Sequence, residues 1–474
     1  MKLFFKIIGA IFALLVLATA GGVAANWQLV NQILTYSPLI LPPFYGDPAD
    51  RAAAQEQDIR FLRHLTKYDR SFSADEVEAF NTHLDAMAAR AGEMSDAEFY
   101  LDVSKAAAIS DNGHTNASKS PTYRQFNHAG VRFYWFADGL YIVRAENTFA
   151  DLVGTRVTGV EGRTPESVNA ALGVYTGGAA QFRKLYGVHI MESPELMHAA
   201  GLAASSDELT LTVLDNAGEP RSVTLPAIKE QGQETLPIRR PWMSLRGDDL
   251  PGEDGAWARV LDFSDGGAPL YLETPQENFL VKHLHGGVYL RPQLLLQREE
   301  TPVLEQFQRV INDAPEGGYA FMAVDLRLSP GGDYTKVLDF VKAAPGTLNS
   351  DGKLYIITSP QTFSAALVTA AFLKYYGGDQ AVIIGQPMGD HAQFWAETGF
   401  PFELPNSDYR ISYATGYHDW EDGCTGKHEY CFTQNILHEV PAGSIEPGVM
   451  MAPTFSDYAS GRDIIMDRIL KERP

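Results

Sequence analysis

An unbroken apolar run from Ile7 to Ala25, preceded by Lys2 and Lys6, opens the chain. A polar, alanine-rich stretch follows, then short alternating runs, and last a series of continuous apolar runs separated by helix-like segments. Each texture predicts a different layer of structure. The first has the basic flank and the apolar length of a signal peptide or a membrane anchor, and Val23-Ala24-Ala25 supplies small residues for cleavage. Residues 1–30 are therefore expected either to be removed or to attach the protein to a membrane through its N-terminus. In both cases the rest is exported: periplasmic, secreted or anchored with its working part outside the cytoplasm.

Past the proline-rich stretch Pro38–Pro48, the pairs Ser73/Glu76 and Ser95/Glu98 are capping-box signatures that start helices. They predict a helical domain over 31–120. Its third helix, Asp96 to Ile109, is expected to stop at Ser110-Asp111-Asn112-Gly113, with Gly113 leaving helical geometry just before His114. From Val131 the period becomes two: Val131–Phe136, Leu140–Arg144, Arg156–Val160 and Leu209–Leu214 read as strands, the last returning through Ser222–Leu225 as a hairpin. A β domain over 121–228 follows. Glu230–Asp265 is polar and reads as a surface linker. Beyond it, strands Gly287–Leu290, Phe321–Leu326, Leu354–Thr358 and Ala381–Gly385 alternate with helices Val303–Asn312, Tyr334–Ala343 and Ser364–Tyr376. That is α/β order over 229–474, with strands apolar enough for a sheet covered on both faces.

Composition narrows the chemistry. The 474 residues carry a formal charge of −21, so nucleic acid is excluded as a partner on electrostatic grounds. Two cysteines, Cys424 and Cys431, cannot build an iron–sulfur ferredoxin or a disulfide-dense scaffold. In an exported protein they are expected to bridge each other, stabilising by roughly 2 kcal/mol; the alternatives are a zinc site with His418, His428 and His438, or free thiols. His283-x-His285 would place two imidazoles on one strand face, but no third ligand can be named, and neither a metal nor a cofactor is expected. There is no Gly-x-Ser-x-Gly, His-Glu-x-x-His or Walker motif. What remains is Ser364, at the start of a helix that follows a strand, where first-turn amides can stabilise an oxyanion. Capping the helix is its bland alternative. The pair Gly331-Gly332 ends a buried strand, where open α/β sheets bind ligands.

Taken in order, Asp325-Leu-Arg…Pro-Gly331-Gly332, Thr362-Phe-Ser364-Ala-Ala and Ile384-Gly-Gln-Pro-Met-Gly389 resemble the tail-specific (C-terminal processing) and tricorn-core serine peptidases. Asp111-Asn-Gly-His114-Thr is similar to the motif that closes the helical part in the tricorn-like branch. Gly154…Gly162 looks like the core of the PDZ-like insert, and Glu446-Pro-Gly-Val…Asp457…Gly461-Arg-Asp463 is similar to the closing pattern. The resemblance implies an α/β fold: a mixed-sheet, ClpP/crotonase-like catalytic core with a helical N-terminal domain and a PDZ-like β domain. It implies an exported serine hydrolase acting on peptides or proteins, with Ser364 as nucleophile, His114 as general base and the Gly331, Gly332 and Ala365 amides as oxyanion donors. Asp111, Glu421 and Asp422 are the candidates for orienting the histidine. Two departures stand out. Tail-specific proteases carry Gly-Lys where this chain has Gly389-Asp390, and tricorn has a serine where this chain has Gly113. They keep open a silent relative that binds hydrophobic ligands or peptides, and a scaffold whose PDZ-like part binds chain ends.

Overall fold

The computed structural model describes residues 35–41, 43–118, 126–215, 218–229, 241–261, 267–300, 302–400 and 402–472. The apolar run 7–25 and its lysines lie outside them. Among the described residues no helix is long and apolar enough to cross a membrane.

The helical part starts as its capping boxes dictate. Ser73 and Glu76 satisfy each other's amides at the head of Ala74–Ala88, and Ser95 and Glu98 do the same for Asp96–Ala108. Phe80, Leu84, Leu101 and Val103 bury the inward faces. The chain leaves helical geometry at Asp111, with φ 48°, and not at Gly113. Gly113 is needed for a different reason: a Cβ there would lie 3.0 Å from the ring of Phe363.

The β domain is an antiparallel sheet in the order Val131–Phe136, Gly139–Glu146, Arg156–Val160, Glu208–Leu214, Pro220–Pro226. The region expected to be a surface linker is instead partly built in. Trp257–Arg259 pairs with Gly139–Glu146, and Trp242, Leu245, Leu250 and Leu261 are buried against Phe136, Val143 and Tyr458. Its polarity has an internal use: Glu253 and the carbonyls of Arg246 and Asp248 receive the guanidinium of Arg144, which is 0% exposed.

The core is a six-stranded sheet in the order Val449–Met450, Ala381–Gly385, Leu348–Thr358, Tyr319–Asp325, Gly287–Pro292, Phe279–Leu284. Every pairing is parallel except the last, so the sheet is mixed. Helices Val303–Asn312 and Ala365–Gly377 cover one face with Phe307, Val310, Leu367 and Val368, and the C-terminal helix Ile464–Glu472 covers the other with Ile465 and Ile469. One piece of the core segment crosses back. Arg410–Ser412 pairs antiparallel with Asn116–Ser118, and Phe402, Tyr409, Ile411 and Tyr413 join the apolar cluster of the helical part. Asp58 accepts the Asn406 and Ser407 amides at 2.8 and 2.9 Å, which fixes that crossing.

Candidate active site

Ser364 sits between the strand Leu348–Thr358 and the helix Ala365–Gly377 with φ 54° and ψ −127°, and its side chain makes no capping hydrogen bond. An L-residue in that conformation is strained, and strain of this kind survives only where the surroundings impose it. Here they do. Thr362 donates its hydroxyl to the Leu326 carbonyl at 2.8 Å, Ser359 donates to Arg327 O at 2.7 Å, and the Phe363 amide donates to Ser329 O at 3.2 Å. The turn is thereby stitched to the loop that leaves the neighbouring strand Tyr319–Asp325. That loop ends in Gly331, whose φ is 110° and whose Cβ, if present, would lie 2.8 Å from Ser364 Cβ and 2.9 Å from the Ala365 amide nitrogen. Only glycine lets this backbone reach the serine. Ala365 opens the helix, so its amide has no intrahelical acceptor. Gly332, paired beside Leu295, is exposed.

A buried ion cluster anchors the same loop. Arg327 makes a bidentate pair with Asp463 at 2.7 and 3.1 Å and a second pair with Asp325 at 2.5 Å, and Tyr289 donates to Asp325 at 2.7 Å. Burial alone would lower the Arg327 guanidinium pKa; the two carboxylates outweigh it and hold it well above the ordinary value. The two sequence motifs that end in Gly332 and Asp463 thus meet through one side chain.

His114 arrives from the helical part. Asn112 donates to the Thr115 hydroxyl at 3.1 Å, and Thr115 donates to the buried Asp69 at 2.6 Å, which also takes the Ala414 amide at 3.2 Å. Burial raises the Asp69 carboxyl pKa, opposed by these hydrogen bonds and those from Ser71. Held this way, the His114 ring stacks on Phe363, the residue before Ser364, with centroids 4.4 Å apart. It is one member of a column of five rings, Phe182, Phe363, His114, Phe394 and His418, with successive centroids 4.7, 4.4, 5.3 and 4.7 Å apart. Five separate stretches of chain contribute to it. Neither ring nitrogen of His114 makes a hydrogen bond, but Nδ1 lies 3.4 Å from Asp390 Oδ2, and that carboxylate is nearly closed to solvent. Catalytic contacts of this length commonly tighten only when substrate binds.

None of the three acids expected to orient His114 is beside it. Asp111 is exposed and pairs with Arg183, and it also receives the Gly178 amide. Glu421 and Asp422 are exposed, Asp422 3.6 Å from Lys427, and their backbone amides cap the Asp419 side chain. Their loop is turned to solvent, whereas Asp390 is carried to the imidazole by the Gly389 amide, which donates to Thr362 O at 2.9 Å. Sequence reasoning noted Asp390 only as the residue standing in place of a lysine; that departure was the available signal.

No protein-family model and no curated protein matches the sequence. Solved structures do. A serine-to-alanine mutant of CPAF superposes with a TM-score of 0.57 at 13% identity, over 89% of this chain and 97% of that one. Mature CPAF and its complex with lactacystin each give 0.55 at 14% identity, again over 89% of this chain and over 97% and 98% of theirs. The chain has the fold of CPAF. CPAF is a serine peptidase of the tail-specific protease type, so the fold expected from the motifs is the fold found.

Within this CPAF fold a cavity of about 390 Å³ opens beside Ser364 and Ala365. His418, at its wall, holds Glu397 Oε1 at 3.2 Å through Nε2. Behind it Cys424 and Cys431 form a disulfide, which excludes both free thiols and a cysteine-based zinc site. Phe432, the next residue, lines the cavity. Reducing this bond should lower stability by about 2–3 kcal/mol, the entropy of opening so short a loop, read as the shift in urea midpoint with and without reductant. An unchanged midpoint after complete reduction would contradict it.

Proposed function

We propose that this chain is an exported serine peptidase. Ser364 Oγ attacks the substrate carbonyl carbon as His114 takes the hydroxyl proton; His114 then returns that proton to the leaving amine. Water, deprotonated by the same histidine, releases the acyl group from Ser364. The amides of Gly331, Gly332 and Ala365 receive the oxyanion, and Asp390 holds the imidazole in the tautomer whose free nitrogen accepts the proton. The observation that carries this reading is Ser364 itself: a strained, uncapped serine at a strand-to-helix turn, as a nucleophile elbow requires. Export is supported by the basic-then-apolar start of the sequence together with a disulfide, a bond that persists in oxidising compartments.

The two departures that favoured a silent binding protein acquire physical reasons compatible with catalysis. Gly113 makes room for Phe363, and Asp390 supplies a carboxylate to His114. A fluorophosphonate probe tests the proposal: folded protein should be labelled at Ser364, and heat-denatured protein should not. Folded protein that takes no label would overturn it.

Asp390 should act on turnover more than on binding. Because its contact with Nδ1 is 3.4 Å long, Asp390→Asn is expected to lower kcat by about 10²-fold, short of the ~10⁴ typical of a tightly bonded triad carboxylate. KM should change little. A rise confined to KM would assign Asp390 to substrate binding instead.

A further inference from the structure

The cavity beside Ser364 has two unlike ends. Val368, Phe394, Ala396 and Phe432 give it an apolar wall. Asp333, Tyr334, Glu397 and His418 give it a polar end, and none of the lining side chains is lysine or arginine. Two polar groups at that end are buried without a hydrogen-bond partner: the Tyr334 hydroxyl and His418 Nδ1, on residues 6% and 1% exposed. A buried group left this way destabilises the empty cavity, and a ligand that satisfies it recovers the loss.

The chemistry of that ligand follows from what each group can still offer. With a neutral ring, His418 Nε2 donates to the Glu397 carboxylate and Nδ1 is left as an acceptor. Glu397 keeps its second carboxylate oxygen. Asp333 is more occupied, its Oδ1 taken by the amide and hydroxyl of Thr335 and its Oδ2 3.4 Å from Lys336. The Tyr334 hydroxyl is held well above its ordinary pKa, by burial first and then by the charges of Glu397 and Asp333, so it stays protonated. Glu397 has φ 67°, and Thr415 clamps its carbonyl with a hydroxyl hydrogen bond of 2.5 Å. A second strained residue therefore borders the same cavity as Ser364, presenting a carboxylate. Acceptors around a net negative charge suit a group that only donates and is positive: an ammonium or a guanidinium.

We propose that this cavity receives the substrate side chain that precedes the scissile bond and selects lysine or arginine, with Glu397 as counter-ion. The proposal rests on Ser364 being the nucleophile. The apolar wall packs the methylene stem, the polar end takes the cationic head, and an acidic side chain meets the like charges of Glu397 and Asp333.

Fluorogenic peptides differing only at that position test it on the full chain. Lysine should exceed norleucine, its uncharged analogue, by about 10²–10³ in kcat/KM, and glutamate should be the poorest. Glu397→Gln should cut the lysine-to-norleucine ratio at least tenfold. Wild-type protein gives a readout that needs no variant: benzamidine should slow fluorophosphonate labelling of Ser364, and uncharged benzamide should not. Labelling at Ser364 combined with equal or better cleavage after norleucine, or with no protection by benzamidine, would overturn the proposal and leave the peptidase reading standing. Folded protein that takes no fluorophosphonate would remove both.

Discussion

Ser364→Ala and His114→Ala should each lower kcat/KM by about 10⁴–10⁶, and the double variant should be no slower than either single one. A serine hydroxyl without a base is a poor nucleophile, and a base without the hydroxyl has nothing to activate, so either loss removes the same pathway. Steady-state cleavage of one peptide by the three variants measures this; additive losses, or substantial activity in His114→Ala, would send the search for the base elsewhere. His391, one residue from Asp390, is exposed, and His418 is already bonded to Glu397. Ser364→Ala removes one hydroxyl and should leave the fold intact, whereas His114→Ala takes a ring out of the five-ring column, so its far-UV circular dichroism is compared with that of wild type. The strain gives a further handle. With φ at 54°, Ser364→Gly should be more stable than Ser364→Ala, by about 1 kcal/mol, since glycine adopts that conformation without penalty. Paired thermal melts decide it, and equal melting temperatures would argue that the turn stores no strain.

Arg327→Met should cost about 3–5 kcal/mol of stability, the usual consequence of leaving buried carboxylates without their cation. Arg327 and Asp463 are each 8% exposed and Asp325 is 0% exposed, so water has little access to replace the guanidinium. Urea unfolding followed by far-UV circular dichroism measures the loss. Activity should fall further than the unfolded fraction explains, because Arg327 stands four residues before Gly331 and its backbone carbonyl receives Ser359 of the nucleophile turn. A variant with wild-type stability would mean that the two carboxylates find protons or water instead.

What the sequence made legible was local. Val131–Phe136, Arg156–Val160, Val303–Asn312 and Ala381–Gly385 have the boundaries their patterns predict, and both capping boxes form. Short apolar runs and caps are decided within a few residues, so they can be read there. Partners chosen across the fold cannot. Arg144 and Glu253 lie 109 positions apart and Arg327 and Asp463 lie 136 apart, and nothing in either neighbourhood announces the other. The polar 241–261 stretch misleads for that reason: its acids look solvated until the buried arginine they serve is known. The same holds at the candidate site. Ser364, Gly331 and Gly332 stood out because a strand end, a helix start and a glycine pair have local signatures. Asp390 is marked only by standing where the resembled proteases carry lysine, Glu397 carries no mark, and the acids that seemed placed to orient His114 sit on loops whose direction the sequence does not specify.

The strand crossing at Arg410–Ser412 bears on when the candidate site can assemble. His114 is followed directly by Asn116–Ser118, and the strand that pairs with those residues is made almost three hundred positions later. Ribosomes build chains from the N-terminus, at about 5–20 residues per second. A nascent chain already carrying His114, and later Ser364, still lacks the strand that fixes the His114 loop and the Asp463 that fixes the Gly331 loop. Competence therefore comes last, all at once, with the final tenth of the polypeptide. The order of synthesis thus holds back assembly of the site to the end, and truncation before Asp463 should leave a well-populated helical part and Arg327 without one of its two carboxylates.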